Sequence, residues 1–545
     1  MPIERMEKGQ LALILHAHLP YVRHPEHDDF LEEDWLFEAI TETYLPLLEM
    51  FERLVEDGIV FRLTMSLTPT LCVMLRDELL ISRYLRYLDR RIELARHEAD
   101  RTRHEPLAHD LACFYLQRFE NCRRQFVDRW NSDLVTAFNS FRQLGCLELI
   151  ACAATHGFLP LMDQFPNSVR AQVLIGRDIY REMFGIDPAG MWVPECAYTR
   201  GVEEAMQEAN IRWFVIDSHG LMFGHPRPRF AIYAPTYTPS GPAAFARDRD
   251  SSKQIWSAEE GYPGDPAYRD FYRDIGMELP IESLAPVVRD EEHRRFTGIK
   301  YCRITGRSPQ KEVYRRAWAL GALDAHANDF VRARDEQFGK LKQAMNLEPI
   351  IVSPFDAELF GHWWYEGPEF LNLVLRKVAC DPHEFRLGTP GEYLARHQTL
   401  QIVAPTASSW GHKGYWEVWL DEVNAWIYPH LHMATRRMEE MAAKYANTAT
   451  DEQDRVLRQM CRELLLAQAS DWAFLMKTGT AREYATKRTR EHILRFTRLY
   501  EQLQAGRIDP DFIAGCEWRN PLFAKPEWRY YAGHRSPSPQ KTAPT

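Results

Sequence analysis

Short apolar runs alternate along most of the chain with stretches whose hydrophobic residues recur every three or four positions, and near the end the apolar runs cease. Leu11–Leu15 is uninterrupted by any polar residue, as expected of a strand buried on both faces in a parallel sheet. Leu36, Phe37, Ile40, Tyr44, Leu48, Phe51 and Val55 follow at helical spacing and predict a helix over 34–56, stopped by Gly58. Phe61–Leu67 reads as the next strand, ending at Thr68-Pro69. Strand, helix, strand is the rhythm of βα units. Residues 75–142 carry many Arg, Asp and Glu among periodic Leu, Phe and Tyr, and predict a helical insertion. Further strands are predicted at Leu147–Ala153, Gly190–Val193, Trp213–Asp217 and Pro349–Val352. The segment 223–266 is irregular, with repeated Pro and Gly, and loops of that length are usually functional. From about 416 helical runs alone remain, at 416–445, 452–475 and 481–504.

A chain of 545 residues exceeds one ordinary core. The pattern divides it into a catalytic (β/α) barrel over 1–405, with the helical insertion near 75–142, and an all-α C-terminal region over 406–530. Residues 531–545 have the composition of a disordered tail. Aromatics make up 12%, including 15 Trp, and some of those rings must line a cleft. A net charge of −10 disfavours nucleic acid and anionic membranes as partners. Ten Cys without a CxxC pair argue for reduced thiols, and no apolar stretch approaches a membrane span, so a cytoplasmic location is expected.

Chemistry gathers at the predicted strand ends. His16-Ala17-His18 follows the first strand, and i, i+2 spacing lets both imidazoles face one site. That pair fits either metal ligation or neutral hydrogen bonding to a polar substrate. Pro194 ends a short strand and presents Glu195 at the rim, flanked by Trp192 and Tyr198. After Pro349–Val352, the segment Ser353–Gly367 holds three carboxylates, Asp356, Glu358 and Glu366, with a His and five aromatic rings. Burying such carboxylates without purpose would cost several kcal/mol. Glycoside cleavage uses the mixture: two carboxyls for the proton and the anomeric carbon, and flat rings for sugar faces.

Five stretches in order, His16 to Pro20, Ala154 to Gly157, Trp192 to Tyr198, Ser353 to Gly367 and Ser408 to Gly411, resemble glycoside hydrolase family 57, and within it the α-glucan branching enzymes. Ala469 to Leu475 resembles the same subgroup, so the likeness runs from Leu13 to about Pro521. It implies an incomplete seven-stranded (β/α) barrel followed by an all-α domain that completes the cleft. It further implies Glu195 as nucleophile and Asp356 as acid/base of a retaining reaction, about 5–5.5 Å apart. His16, His18, His156, Trp256, Trp410, Trp419 and Asp471 correspond to substrate-contacting positions. No metal and no cofactor are implied, and the partner is an α-glucan such as amylose or glycogen. The expected activity is 1,4-α-glucan branching, with a hydrolytic α-amylase or 4-α-glucanotransferase as the alternative on the same scaffold. Branching members use a mobile loop with a Tyr to favour transfer. The short segment 223–245 is the candidate lid here, with Tyr233 or Tyr237 as gate.

Overall fold

The structure, a computed structural model, describes residues 8–256, 260–308 and 310–533. Nine strands occur among them: β1 Gly9–Ala17, β2 Leu63–Leu67, β3 Leu147–Cys152, β4 Gly190–Trp192, β5 Trp213–Ile216, β6 Thr236–Tyr237, β7 Ala243–Ala246, β8 Ile350–Asp356 and β9 Phe385–Leu387. Seven run parallel in the order β7-β5-β4-β3-β2-β1-β8 and curl into an incomplete barrel. β6 lies antiparallel on β7, and β9 pairs with the start of β1. The two ends of the sheet meet at one bridge, Arg247 to Val352, where the Asp248 N–H donates to the Val352 carbonyl at 2.8 Å.

Two-residue alternation assigns the faces. Ala12, Ile14, Ile150, Cys152, Trp192, Trp213, Val215, Phe245, Ile350 and Val352 fill the lumen. Leu11, Leu13, Leu15 and Ala17 face the surrounding helices. β7 was invisible in the sequence because Ala-Ala-Phe-Ala is only four residues long and sits among Pro and Gly. β8 does not end at Val352 but continues through Ser353-Pro354-Phe355 to Asp356. That extension carries a carboxylate to the rim.

Helices at Glu78–Arg101, Pro106–Arg124 and Leu134–Gln143 occupy the stretch after β2. The helix expected over 34–56 spans Glu33–Glu56 but widens to a π-turn at Ile40–Tyr44. Toward the C-terminus the helices are Ile427–Tyr445, Asp451–Ala467, Ser470–Thr478, Arg482–Ala505 and Pro510–Arg519. Two expectations need correction. Residues 416–426 form turns, not the start of a helix. The run over 452–475 breaks at Gln468-Ala469, because the barrel supplies partners there: Ala469 bridges Gly157, and the Ser470 N–H donates to the His156 carbonyl at 3.0 Å. Tyr531, inside the expected tail, is buried in the short turn Trp528–Ala532. Residues 534–545 lie outside the described residues.

Candidate active site

Seven strand ends open onto one rim, and the carboxylates arrive there by strand register. His16 and Asp356 are register partners on β1 and β8. Both continue the lumen-facing set, His16 after Ala12 and Ile14, Asp356 after Ile350 and Val352. Burial holds the Asp356 carboxyl well above the usual carboxylate range, the negative charges of Glu358 and Glu195 add to this, and Arg247 opposes it. Asp356 is therefore poised to keep its proton.

Glu195 is delivered differently. β4 stops at Trp192, and after Pro194 the backbone turns left-handed at Glu195 (φ 63°) and Cys196 (φ 48°). Side-chain-bearing residues adopt such φ values at an energetic cost, so surrounding bonds must impose them. The Trp410 N–H donates to the Glu195 carbonyl at 3.0 Å, and Tyr198 and Ser408 exchange a bridge on the far side of the turn. The side chain is fixed as well. Trp410 Nε1–H donates to Oε2 at 2.8 Å, and Ser470 Oγ–H donates to Oε1 at 2.9 Å. Burial raises the affinity of Glu195 for a proton, while these two hydrogen bonds favour the carboxylate. One carboxyl is thus aimed by hydrogen bonds that oppose the effect of burial, and the other, without such bonds, is disposed to hold a proton.

A hydrogen-bonded file of side chains leads to Glu195. His16 Nε2 lies 2.9 Å from His156 Nε2, and His156 Nδ1 lies 2.9 Å from Ser470 Oγ. Burial, with neighbouring histidines, keeps both His16 and His156 well below the ordinary imidazole range. Both are accordingly neutral, and one order of donation satisfies the file: His16 to His156 to Ser470 to Glu195. It leaves His16 Nδ1 a buried acceptor without a protein partner. His18 differs. Burial works against its charge, but Asp471, whose oxygens lie 3.0 and 3.1 Å from Nε2, shifts its proton affinity upward.

His18, His156 and Asp471 are also the group whose ligand atoms lie within 4.8 Å of one another. The imidazoles of His18 and His156 stack face to face, with centroids 3.8 Å apart and planes 18° from parallel. Ring lone pairs lie in the ring plane, so stacked rings do not converge on one ion, and Asp471 is already engaged by His18. Activity is expected to be unchanged after prolonged dialysis against EDTA. Loss of activity restored by zinc would reassign the trio to a metal.

Tryptophans extend the site outward. Trp192 contacts Trp410 (ring centroids 5.1 Å), Trp410 contacts Trp256 (6.3 Å) and Trp256 contacts Trp363 (6.2 Å). Exposure grows along the row, from fully buried Trp192 through half-buried Trp410 and Trp256 to Trp363, which is 45% exposed. Trp419 does not join it: the ring is buried on Phe158 with centroids 4.4 Å apart and offers no face to a sugar.

The gate assignment also needs correction. The Ile350 N–H donates to the Tyr233 carbonyl at 2.9 Å, and Tyr237 pairs with Ala243, the first residue of β7. The backbone of both tyrosines therefore lies toward the N-terminal end of the barrel, away from Glu195 and Asp356, while the Tyr233 hydroxyl reaches Gln337, which also donates to Asp248. The segment around them is tied down by 401–404, through Tyr237 with Gln401 and Val403 and His225 with Ala404. Sequence reading also passed over Ser470, Tyr44 and Arg247. Arg247 follows β7 directly, stands over the Trp410 ring at 5.6 Å and acts on Asp356.

Residues 12–278 match the profile described as Glycosyl hydrolase family 57, and residues 430–531 match that described as 1,4-alpha-glucan branching enzyme, C-terminal. The chain is 32% identical to the 1,4-alpha-glucan branching enzyme TK1436 of Thermococcus kodakarensis, over 95% of this chain and 77% of that protein. Among solved structures, the α-amylase AmyC from Thermotoga maritima superposes with a TM-score of 0.91 at 44% identity, covering 97% of this chain and all of that one. A GH57-type branching enzyme from Pyrococcus horikoshii gives 0.86 at 32% identity, covering 97% and 98%.

Proposed function

Because the chain belongs to glycosyl hydrolase family 57, we propose that it is a retaining 1,4-α-glucan branching enzyme, with Glu195 as nucleophile and Asp356 as acid/base. The observation that carries this reading is the contrast between the two carboxyls: Glu195 receives two hydrogen bonds, while burial and two carboxylate neighbours keep the proton on Asp356. Relatives bearing the branching name cover nearly the whole chain and support it.

Chemistry proceeds in two displacements. Glu195 attacks the anomeric carbon of an α-1,4 linkage, forming a bond from C1 to a carboxylate oxygen. The C1–O4 bond breaks, and Asp356 gives its proton to the departing oxygen. The resulting ester cancels the charge of Glu195, so Asp356 loses one of its two negative neighbours and releases a proton more readily. Asp356 then takes the proton of the 6-hydroxyl of a second glucan chain as that oxygen attacks C1 and frees Glu195. His16 Nδ1 and the half-exposed Trp faces orient the sugars. The ten free cysteines suit a reducing compartment, and no described helix is long and apolar enough to cross a membrane.

Water attacking the same ester gives hydrolysis, and the likeness to a protein called an α-amylase favours this as the second reading. With the backbone of Tyr233 and Tyr237 toward the opposite end of the barrel, the partition between acceptors falls to the tryptophan row. Incubation with amylose is expected to give α-1,6 linkages by NMR, with some new reducing ends. Trp256→Ala is expected to cut α-1,6 formation about tenfold more than total cleavage, since orientation of the acceptor acts on that step alone. A wild-type enzyme forming reducing ends and no α-1,6 linkages would make the hydrolytic reading correct.

A further inference from the structure

A second carboxyl stands two residues beyond Asp356, and the reaction above leaves it without a task. Glu358 is 5% exposed and lies in the short turn Ala357–Leu359. Its Oε1 accepts from the Tyr44 hydroxyl at 2.5 Å and from the His18 backbone N–H at 3.2 Å. Both partners are donors that stabilise a carboxylate without a formal pairing to Lys or Arg. Burial pushes the Glu358 carboxyl up to about 7, with these hydrogen bonds and the charge of His18 working the other way.

Tyr44 closes the π-turn Ile40–Tyr44, a widening of a helix that otherwise follows regular geometry. Such turns are uncommon and concentrate at functional sites. This one grips the segment after Asp356 at three places. Tyr44 holds Glu358. Glu42 accepts from His362 Nδ1 at 2.7 Å and from Arg269 Nη2 at 3.2 Å. Gly361, at φ 120°, packs so closely that a Cβ would stand 1.8 Å from the Glu42 carbonyl. The grip immobilises a carboxyl beside the acid/base.

We propose that Glu358, fixed by Tyr44, is a positioning residue whose negative charge keeps the proton on Asp356 until the leaving oxygen requires it. The inference rests on Asp356 acting as the acid. The charged groups that act on Asp356 are Glu358, Glu195 and Arg247, with His16 as its register partner and the Tyr44 hydroxyl and Cys196 thiol within reach of its charge. Of the two carboxylates, only Glu358 survives formation of the ester on Glu195. It therefore maintains Asp356 as a base strong enough to accept the proton of the incoming hydroxyl. Tyr44, His18 and Asp356 itself are the titratable groups around Glu358.

The signature is in the pH profile. Asp356 acts protonated in the first step, so kcat/KM falls as pH rises through its proton release. Glu358→Gln retains an acceptor for Tyr44 and His18 but removes the charge. Its alkaline limb on amylose is expected to move down by about one pH unit, with the plateau on the acid side largely kept. Tyr44→Phe keeps the carboxyl but removes the donor that stabilises its anion. The same limb is expected to move down by less. An alkaline limb that stays in place, or moves up, in Glu358→Gln overturns the proposal. Should Glu358→Gln fail to fold, judged by circular dichroism and melting temperature, Tyr44→Phe decides by the same criterion. Asp356→Asn separates the two levels: full activity there would overturn the acid/base assignment itself, whereas a dead Asp356→Asn with an unmoved limb in Glu358→Gln removes only the role of Glu358.

Discussion

Glu195→Gln is expected to slow amylose cleavage by roughly 10^4–10^6-fold, the scale of deleting a nucleophile. The amide is nearly isosteric, and the surroundings can accept it. Its oxygen can take the Trp410 Nε1–H and its NH2 can donate to Ser470 Oγ, the two contacts the carboxylate makes now. Melting temperature is therefore expected to stay close to wild type while activity disappears, which separates chemistry from folding. Glu195→Gly opens space where the nucleophile stood. Azide entering there would attack from the face that Glu195 used, and the product would be a glycosyl azide of inverted configuration, readable by NMR. Near-normal cleavage by Glu195→Gln would remove Glu195 from the mechanism.

Asp356→Asn is expected to lower amylose cleavage by about 10^2–10^4-fold, the usual contribution of a general acid and base. The effect should depend on the leaving group. A sugar oxygen departs poorly without a proton, whereas a glucosyl fluoride or an aryl glucoside needs none. With such substrates the first displacement is expected to recover while the second, lacking its base, remains slow. An ester on Glu195 should then accumulate and be visible as a mass increase on the peptide containing Trp192 to Tyr198. Azide requires no base and should release it with retained configuration. Equal losses on amylose and on the activated substrate, with no adduct, would contradict the role assigned to Asp356.

Much of this site was legible because its parts lie at strand ends. Glu195, Asp356, His16 and His18 each follow an apolar run, and strand alternation alone turns His16 and Asp356 inward. What escaped notice came from distant segments or depended on direction. Ser470 hides within an unbroken helical pattern, since the break at Gln468-Ala469 is stabilised by partners on a barrel loop and not by local Gly or Pro. Tyr44 looked like one more apolar position of an amphipathic helix, because periodicity does not register a single π-turn. Tyr233 and Tyr237 were close to the nucleophile in sequence, but β6 runs against β7 and sets Tyr237 beside its first residue, while the Tyr233 carbonyl accepts from the first residue of β8. Trp419 shows the limit of composition: a Trp near a cleft motif still serves packing when Phe158 covers its face.

The helix break at Gln468-Ala469 also bears on how the protein comes into being. Glu195 receives its Ser470 hydrogen bond across 275 residues of chain, and His18 meets Asp471 across 453. Ribosomes add roughly 5–20 residues per second, so about 14–55 s separate synthesis of the nucleophile from synthesis of its serine partner. Once β8 has been made, later in that interval, the barrel strands can pair, yet the hydroxyl that steadies Glu195 and the carboxylate that holds His18 are still missing. The hydrogen-bond set around the nucleophile is therefore complete only when the C-terminal helices have docked on the barrel.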